Sequence, residues 1–145
     1  MKVLNLSLDN KVLDKNSEVA QRAIAYGDLL DQYLVVVPGE NKKVELSSKT
    51  KVVGIKASNK FFTFFDIYRF IYQELSNKKY DLITIQDSYY LAFLGISLAK
   101  KFGLKIELQV HGFEKLSILR RYVASQNINK ADKIRTVSQR LKNKI

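Results

Sequence analysis

Residues 80–114, YDLITIQDSYYLAFLGISLAKKFGLKIELQVHGFE, constrain the fold of this chain more than any other stretch. Leu82, Ile83, Thr84 and Ile85 form a short run rich in β-branched residues, which suit a pleated, half-buried surface, and the polar pair Gln86-Asp87 stops it. From Ser88 the pattern changes: Leu91, Phe93, Leu94, Ile96, Leu98 and Phe102 fill a segment of helix length. Lys100 and Lys101 fall in its last turn, where cations oppose the negative end of the helix dipole. Gly103 follows, the residue best able to take a left-handed helix end. Residues 104–110 then alternate apolar and polar side chains and stop at His111-Gly112. A strand, a crossover helix and a second strand of these lengths make a βαβ unit, so the two strands are expected to be parallel. Ligands of open parallel sheets bind beyond the carboxyl ends of the strands. Gln86-Asp87 and His111-Gly112 both fall at such ends, and so at one rim.

The rest of the chain repeats the alternation. Residues 3–6 read as a first strand and the polar residues 7–16 as a loop. Ser17 is a good N-cap, with Glu18 favourably charged in the first turn of a helix that carries Val19, Ala23, Tyr26 and Leu30 on one side. That helix is expected to run to about Leu30. Residues 33–37 are a second strand, closed by the turn signal Pro38-Gly39. Residues 41–50, polar and rich in lysine, read as an exposed hairpin-like excursion, and residues 51–56 as a third strand. Over residues 61–75, Phe61, Phe64, Phe65, Tyr68, Ile71, Tyr72 and Leu75 follow the helical period, and Phe62, Ile67 and Phe70 widen the stripe. Core packing is the ordinary fate of such a stripe, and an aromatic edge at a membrane interface is the alternative. A helix over residues 116–130, a strand over residues 133–137 and a terminal helix capped by Ser138 complete the pattern. Strands alternating with helices place the chain in the α/β class with a parallel sheet.

At 145 residues and 46% hydrophobic, the chain has room for one domain with a substantial core. It has no cysteine, which excludes disulfides and thiolate metal sites and is compatible with a reducing compartment. No apolar run approaches the roughly 20 residues that span a bilayer. Residues 1–8 are too short and strand-like for a signal peptide, so a cytoplasmic protein is expected, with the inner face of the membrane as a second location. The formal net charge of +11 calls for an anionic partner: nucleic acid, a membrane surface or phosphorylated small molecules. Most basic residues fall at element ends, as solvated helix charges do, and no nucleic-acid motif accompanies them.

Familiar catalytic signatures are missing. No G-x-G-x-x-G follows the first strand, and there is neither a phosphate-binding loop nor a G-x-S-x-G elbow. The one histidine cannot build a metal cluster, and no metal is expected. On the residues alone His111 is more often structural than catalytic. Its place at a strand end, beside a glycine that lets a ligand approach the backbone, raises its candidacy.

The order and wording of these segments resemble the N-terminal domain of glycosyltransferase family 4, retaining sugar transferases of the GT-B fold. MKVLNLSLDN followed by SEVAQRAIAYGDLLDQYLVVV is similar to the family's first strand, substrate loop and first helix, with its Ser17 and Arg22 pattern. DLITIQDSYYLAFLGISLAKKFGLKIELQVHGFE is similar to its central strand, QD loop, apolar helix and HG strand end, and ADKIRTVSQRLKNKI to its AD-x-I-x-x-V-S segment. One departure stands out: the first loop lacks the glycine pair that many members carry.

The resemblance implies a Rossmann-like parallel sheet with helices on both faces. Residues 1–145 would be the acceptor-side N-terminal domain of a GT-B enzyme, truncated at its C-terminal end. The donor-binding C-terminal domain would be absent or supplied by a partner chain, leaving the isolated chain inactive. The activity implied is retaining transfer of a sugar from a nucleotide-diphosphate-sugar to a sugar or lipid-linked acceptor, in cell-surface polysaccharide or glycolipid synthesis. The nucleotide sugar is substrate, and no cofactor is implied. His111 would be catalytic at the reacting sugar, with Gly112 leaving space beside it. Ser7 and Asp9 would line the first loop, Gln86 and Asp87 the next rim position. Arg120 would meet a phosphate or other anionic group, and Ser138 belongs to the same substrate-binding set. A peripheral contact with an anionic membrane is compatible with this, whereas a nucleic-acid partner is not expected. Two other readings stay open: a basic membrane- or nucleic-acid-binding module, and a non-catalytic subunit of a split glycosyltransferase.

Overall fold

The structure, a computed structural model, describes residues 1–56, 58–110 and 118–136, without the side chains of Lys60, Phe61 and Arg120. Its elements are β1 (Lys2–Leu6), a short 3-10 helix (Asn10–Leu13), α1 (Glu18–Asp28), β2 (Gln32–Pro38), β3 (Lys42–Glu45), β4 (Thr50–Ile55), α2 (Lys60–Asn77), β5 (Leu82–Ile85), α3 (Tyr90–Phe102), β6 (Lys105–Val110), α4 (Ile118–Ile128) and β7 (Lys133–Thr136). The strands form one seven-stranded sheet in the order β3-β4-β2-β1-β5-β6-β7. Its pairings are parallel except that of β3 on β4, which is antiparallel. Residues 41–50 are therefore a hairpin arm added to one edge. Without that arm the strand order is the doubly wound, Rossmann-like one, reversing between β1 and β5 at the centre of the sheet.

Helices lie on both faces. Under α2, α3 and α4, Leu4, Leu6, Ile83, Ile85 and Leu108 of the sheet meet Ile67, Ile71, Leu91 and Leu98 of the helices, all with no exposed surface. Burying a side chain of this size contributes about 1.5–3 kcal/mol. On the other face Val3, Tyr33, Val35, Val37 and Val52 meet Ala23 of α1 and Val12 and Leu13 of the 3-10 helix. That layer is centred on β2 and β4. Over β5, β6 and β7 the same face is open, with Thr84, Glu107 and Gln109 half-buried and Arg135 exposed.

Helix ends follow their local chemistry. Ser17 Oγ accepts the Ala20 N–H at 3.1 Å, and Asn59 Oδ1 accepts the Phe62 N–H at 3.0 Å. Gly103 ends α3 with φ 69°, a left-handed conformation that a Cβ would strain.

Three sequence expectations are corrected. Residues 7–16 are not all loop, because Val12 and Leu13 have apolar surface to bury and turn inward as the 3-10 helix. Helix α1 stops at Asp28 and buries Ala20, Ala23 and Gly27, while Tyr26 stays 51% exposed. The small residues win because α1 lies close to β4: a Cβ on Gly27 would stand 1.8 Å from Thr50 Oγ1. In α2 the buried line is Ile67, Ile71 and Leu75, and Phe62 and Phe65 point to solvent. The expected cap at Ser138 lies outside the described residues.

Candidate functional site

Where strand order reverses, the connections leaving two neighbouring strands diverge and a crevice opens between them. Here β1 leads to α1 on one face, and β5 leads to α3 on the other. Leu6 and Ile85 are paired at the ends of these strands. The backbone holds the next residue of each strand in register: the Gln86 N–H donates to Leu6 O at 2.8 Å and the Ser7 N–H to Val36 O at 3.1 Å. Across the crevice Ser7 Oγ donates to Gln86 Oε1 at 2.9 Å and accepts the Asp9 N–H at 3.1 Å. Three of the residues expected at the rim, Ser7, Asp9 and Gln86, thus meet in one hydrogen-bonded group.

Two contiguous cavities extend from this group over the open face. The larger, about 440 Å³, is lined by Ser7, Asp9, Arg22, Gln86, Gln109 and Arg135, with Asn5, Tyr26 and Tyr33 among its other residues. The smaller, about 220 Å³, continues along the sheet past Val3, Thr84 and Glu107 and shares Asn5, Tyr33, Gln86, Gln109 and Arg135. Asn5 lies in the floor, 3% exposed, and its amide nitrogen donates to the Tyr33 hydroxyl. Its amide oxygen has no hydrogen-bond partner among the described residues. An unpaired buried acceptor costs about 1–3 kcal/mol. Burial pushes the Tyr33 hydroxyl's pKa above its ordinary value, against the lowering effect of the Asn5 hydrogen bond.

Positive charge stands at the wall. Arg135 donates to Gln109 Oε1 at 3.2 Å and lies 4.0 Å from Glu107, an ion pair at the limit of contact. Arg22 is exposed and has neither ion pair nor hydrogen bond to a described residue. Two guanidiniums in a lining that also holds the Gln86 and Gln109 amides can hold an anion that also carries hydroxyl groups. Among the described residues no group of three or more His, Asp or Glu could hold a metal.

The described ones among the other expected residues fall elsewhere. The Asp87 carboxylate, 7% exposed, accepts the Leu91 N–H at 3.1 Å and so anchors the start of α3. Arg120 is in the opening turns of α4, on the face opposite the cavities, and its side chain lies outside the described residues, as do His111, Gly112 and Ser138. Sequence reasoning missed Asn5, Gln109 and Arg135. For Asn5 the available signal was a polar side chain inside an otherwise apolar strand, between Leu4 and Leu6, whereas Gln109 and Arg135 stand at polar positions of alternating strands and carry no such signal.

No family model matches the sequence, and no curated protein matches it. Solved structures do share its fold. UDP-GlcNAc 2-epimerase from Methanocaldococcus jannaschii superposes with a TM-score of 0.67 at 11% identity, over 99% of this chain and 41% of its own. Anabaena Alr3699/HepE, solved in complex with UDP, superposes with a TM-score of 0.57 at 16% identity, over 92% of this chain and 37% of its own. The chain thus spans about two fifths of the length of these proteins. At such identities the likeness establishes the Rossmann-like α/β fold.

Proposed function

We propose that this chain is the acceptor-side domain of a retaining glycosyltransferase that moves a sugar from a nucleotide-diphosphate-sugar to a sugar or lipid-linked acceptor. The observation that carries the reading is the cavity lining, where the polar side chains of Ser7, Asp9, Gln86 and Gln109 meet a wall holding Arg22 and Arg135. A sugar hydroxyl meeting the Gln86 or Gln109 amide and a phosphate oxygen facing the guanidiniums would suit that lining. Few ligand classes join hydroxyls and phosphate as a nucleotide sugar does. The fold likeness to a UDP-sugar epimerase and to a UDP-bound protein supports a nucleotide-sugar ligand. The choice of transfer over other chemistry rests on the sequence resemblance.

On this reading Ser7, Asp9 and Gln86 shape the rim, and Arg22 and Arg135 balance the charge that gathers on the leaving diphosphate. Fixed cations act well there because they need no reorganisation when the bond breaks. His111 acts at the reacting sugar with Gly112 beside it, and a second domain closes over the rim to complete the donor site. No cofactor enters, and the product belongs to cell-surface polysaccharide or glycolipid synthesis.

Titrating the ¹⁵N-labelled chain with UDP-hexoses tests the reading. Amide resonances of Asn5, Ser7 and Gln86 and the side-chain resonances of Arg22 and Arg135 are expected to shift together, while Leu29 at the far end of α1 stays still. Resonances unmoved at millimolar ligand, the weak end of biological affinity, both in this chain and in an enzyme that includes the second domain, would refute it. In an enzyme that includes the second domain, His111→Ala is expected to slow transfer about thirtyfold to a thousandfold, roughly 2–4 kcal/mol, with Tm unchanged. A lowered Tm with specific activity intact would return His111 to a structural role.

A further inference from the structure

An edge strand presents unpaired N–H and C=O groups, a template on which a further strand can form. Strand β3 is such an edge, with β4 as its one sheet neighbour among the described residues. Residues of an antiparallel pair alternate between bonding the partner strand and turning their backbone groups away from it. The Leu46 N–H donates to Thr50 O at 2.9 Å, so Val44, two residues earlier, also bonds towards β4. Lys43 and Glu45 therefore aim their N–H and C=O groups outward. Their side chains share one face of the sheet and are exposed, because Val44 between them turns to the other face and is buried with Val12 and Leu13. The Glu45 side chain is 73% exposed beside Lys51, whose Nζ donates to its Oε1 at 2.7 Å, so it has room to meet a second cation.

This edge complements itself. We propose that β3 pairs antiparallel with β3 of a second copy of this chain, about a two-fold axis normal to the sheet at Val44. The axis sets Val44 opposite its counterpart, Lys43 opposite the second copy's Glu45, and Glu45 opposite the second copy's Lys43. Both charged positions fall where backbone groups point outward, so each pair also exchanges N–H···O=C bonds across the junction. Opposite charges on directly opposed residues stabilise a sheet, and like charges there destabilise it. A one-residue slip would oppose an outward-facing residue to an inward-facing one, so the register is fixed. The other edge of the sheet lacks this property: β7 carries Lys133 and Arg135 and no carboxylate, so self-pairing there would set cation against cation. One self-complementary patch on each subunit is what a closed two-fold dimer requires. The crevice lies between β1 and β5, at the centre of the sheet, so the junction leaves it open in both copies. The dimer does not rest on the transfer reading.

Sedimentation velocity of the 145-residue chain, from micromolar to millimolar concentration, tests this. Salt at about 0.15 M screens the net charge of +11 that each copy brings. A reversible monomer–dimer equilibrium is expected. Glu45→Lys opposes lysine to lysine at both pairs, and Lys43→Glu opposes glutamate to glutamate. Each is expected to weaken the homodimer by about tenfold or more. Mixed in equal amounts, the two variants regain opposite charges at both pairs and are expected to form a heterodimer as tight as the wild-type dimer. Lys43→Pro removes an outward N–H at an edge position that tolerates proline, and is expected to weaken the dimer as well. All three substitutions are at exposed sites, and circular dichroism checks that the variants fold. A chain that stays monomeric at millimolar concentration overturns the proposal. So does a dimer that both charge variants retain, which assigns the contact to another surface, or a mixture of the two in which no heterodimer forms.

Discussion

Along β5, Ile83 and Ile85 disappear completely under α3, while their neighbours Leu82 and Thr84, on the other side of the strand, are half-buried and line the smaller cavity. Strand β6 divides the same way, with Ile106, Leu108 and Val110 inside and Glu107 and Gln109 facing the crevice. Strand β2 does not divide, and residues Tyr33 to Val37 are buried throughout because layers cover both its faces. The contrast separates a packed face from an open one within one sheet. The face under α2, α3 and α4 holds the sheet together. The open half of the other face is free to carry polar side chains and pays only at Asn5, where an acceptor is buried without a partner.

The largest expected effect cuts across one strand. Ile83→Ala removes a fully buried side chain from the packed face and should destabilise by about 3–4 kcal/mol, whereas Thr84→Ala on the open face should stay within about 0.5 kcal/mol. Urea unfolding of both variants measures the difference, and comparable losses would erase the distinction between the faces. Asn127→Ala comes next. Its buried side chain donates to Ser88 O at 3.0 Å and Tyr89 O at 2.9 Å, tying α4 to the start of α3, and its loss should cost about 2 kcal/mol in the same assay.

Alkaline pH separates the faces through their tyrosines. Burial raises the Tyr80 pKa well above its ordinary value, and the hydrogen bond and charge of Glu74 add to it. Burial raises that of Tyr33, on the face that α1 covers, too, opposed by Asn5. A raised folded pKa contributes stability that is complete below the unfolded value, near 10, and is lost as pH rises through the folded one. Stability should therefore fall above about pH 10. Tyr80→Phe should flatten that fall more than Tyr33→Phe, as denaturant midpoints from pH 8 to 11 would record. The smallest stability effect is at the cavity wall: Arg135→Ala should change folding by less than about 1 kcal/mol, since its ion pair is exposed, yet weaken nucleotide-sugar shifts in the titration. A large loss of stability with unaltered ligand shifts would make Arg135 part of the scaffold.

What the sequence by itself determined is everything that depends on neighbours along the chain. The βαβ unit over residues 80–110, the Ser17 cap, the left-handed Gly103 and the parallel pairing of β5 with β6 follow from periodicity, capping chemistry and crossover geometry. The rim positions Ser7 and Gln86 were legible for the same reason, since they end strands. Tertiary structure alone decided which face each residue serves. Whether Phe62 and Phe65 or Ile67 and Ile71 enter the core depends on where α3 lies, and helical period admits either set. Tyr26 loses its place in the core to Gly27 because α1 presses on Thr50, a contact between residues far apart in sequence. Asn5, Gln109 and Arg135 line common cavities only when the sheet order brings β1, β6 and β7 under one open face. That order is set by packing over the whole domain, and no local pattern encodes it.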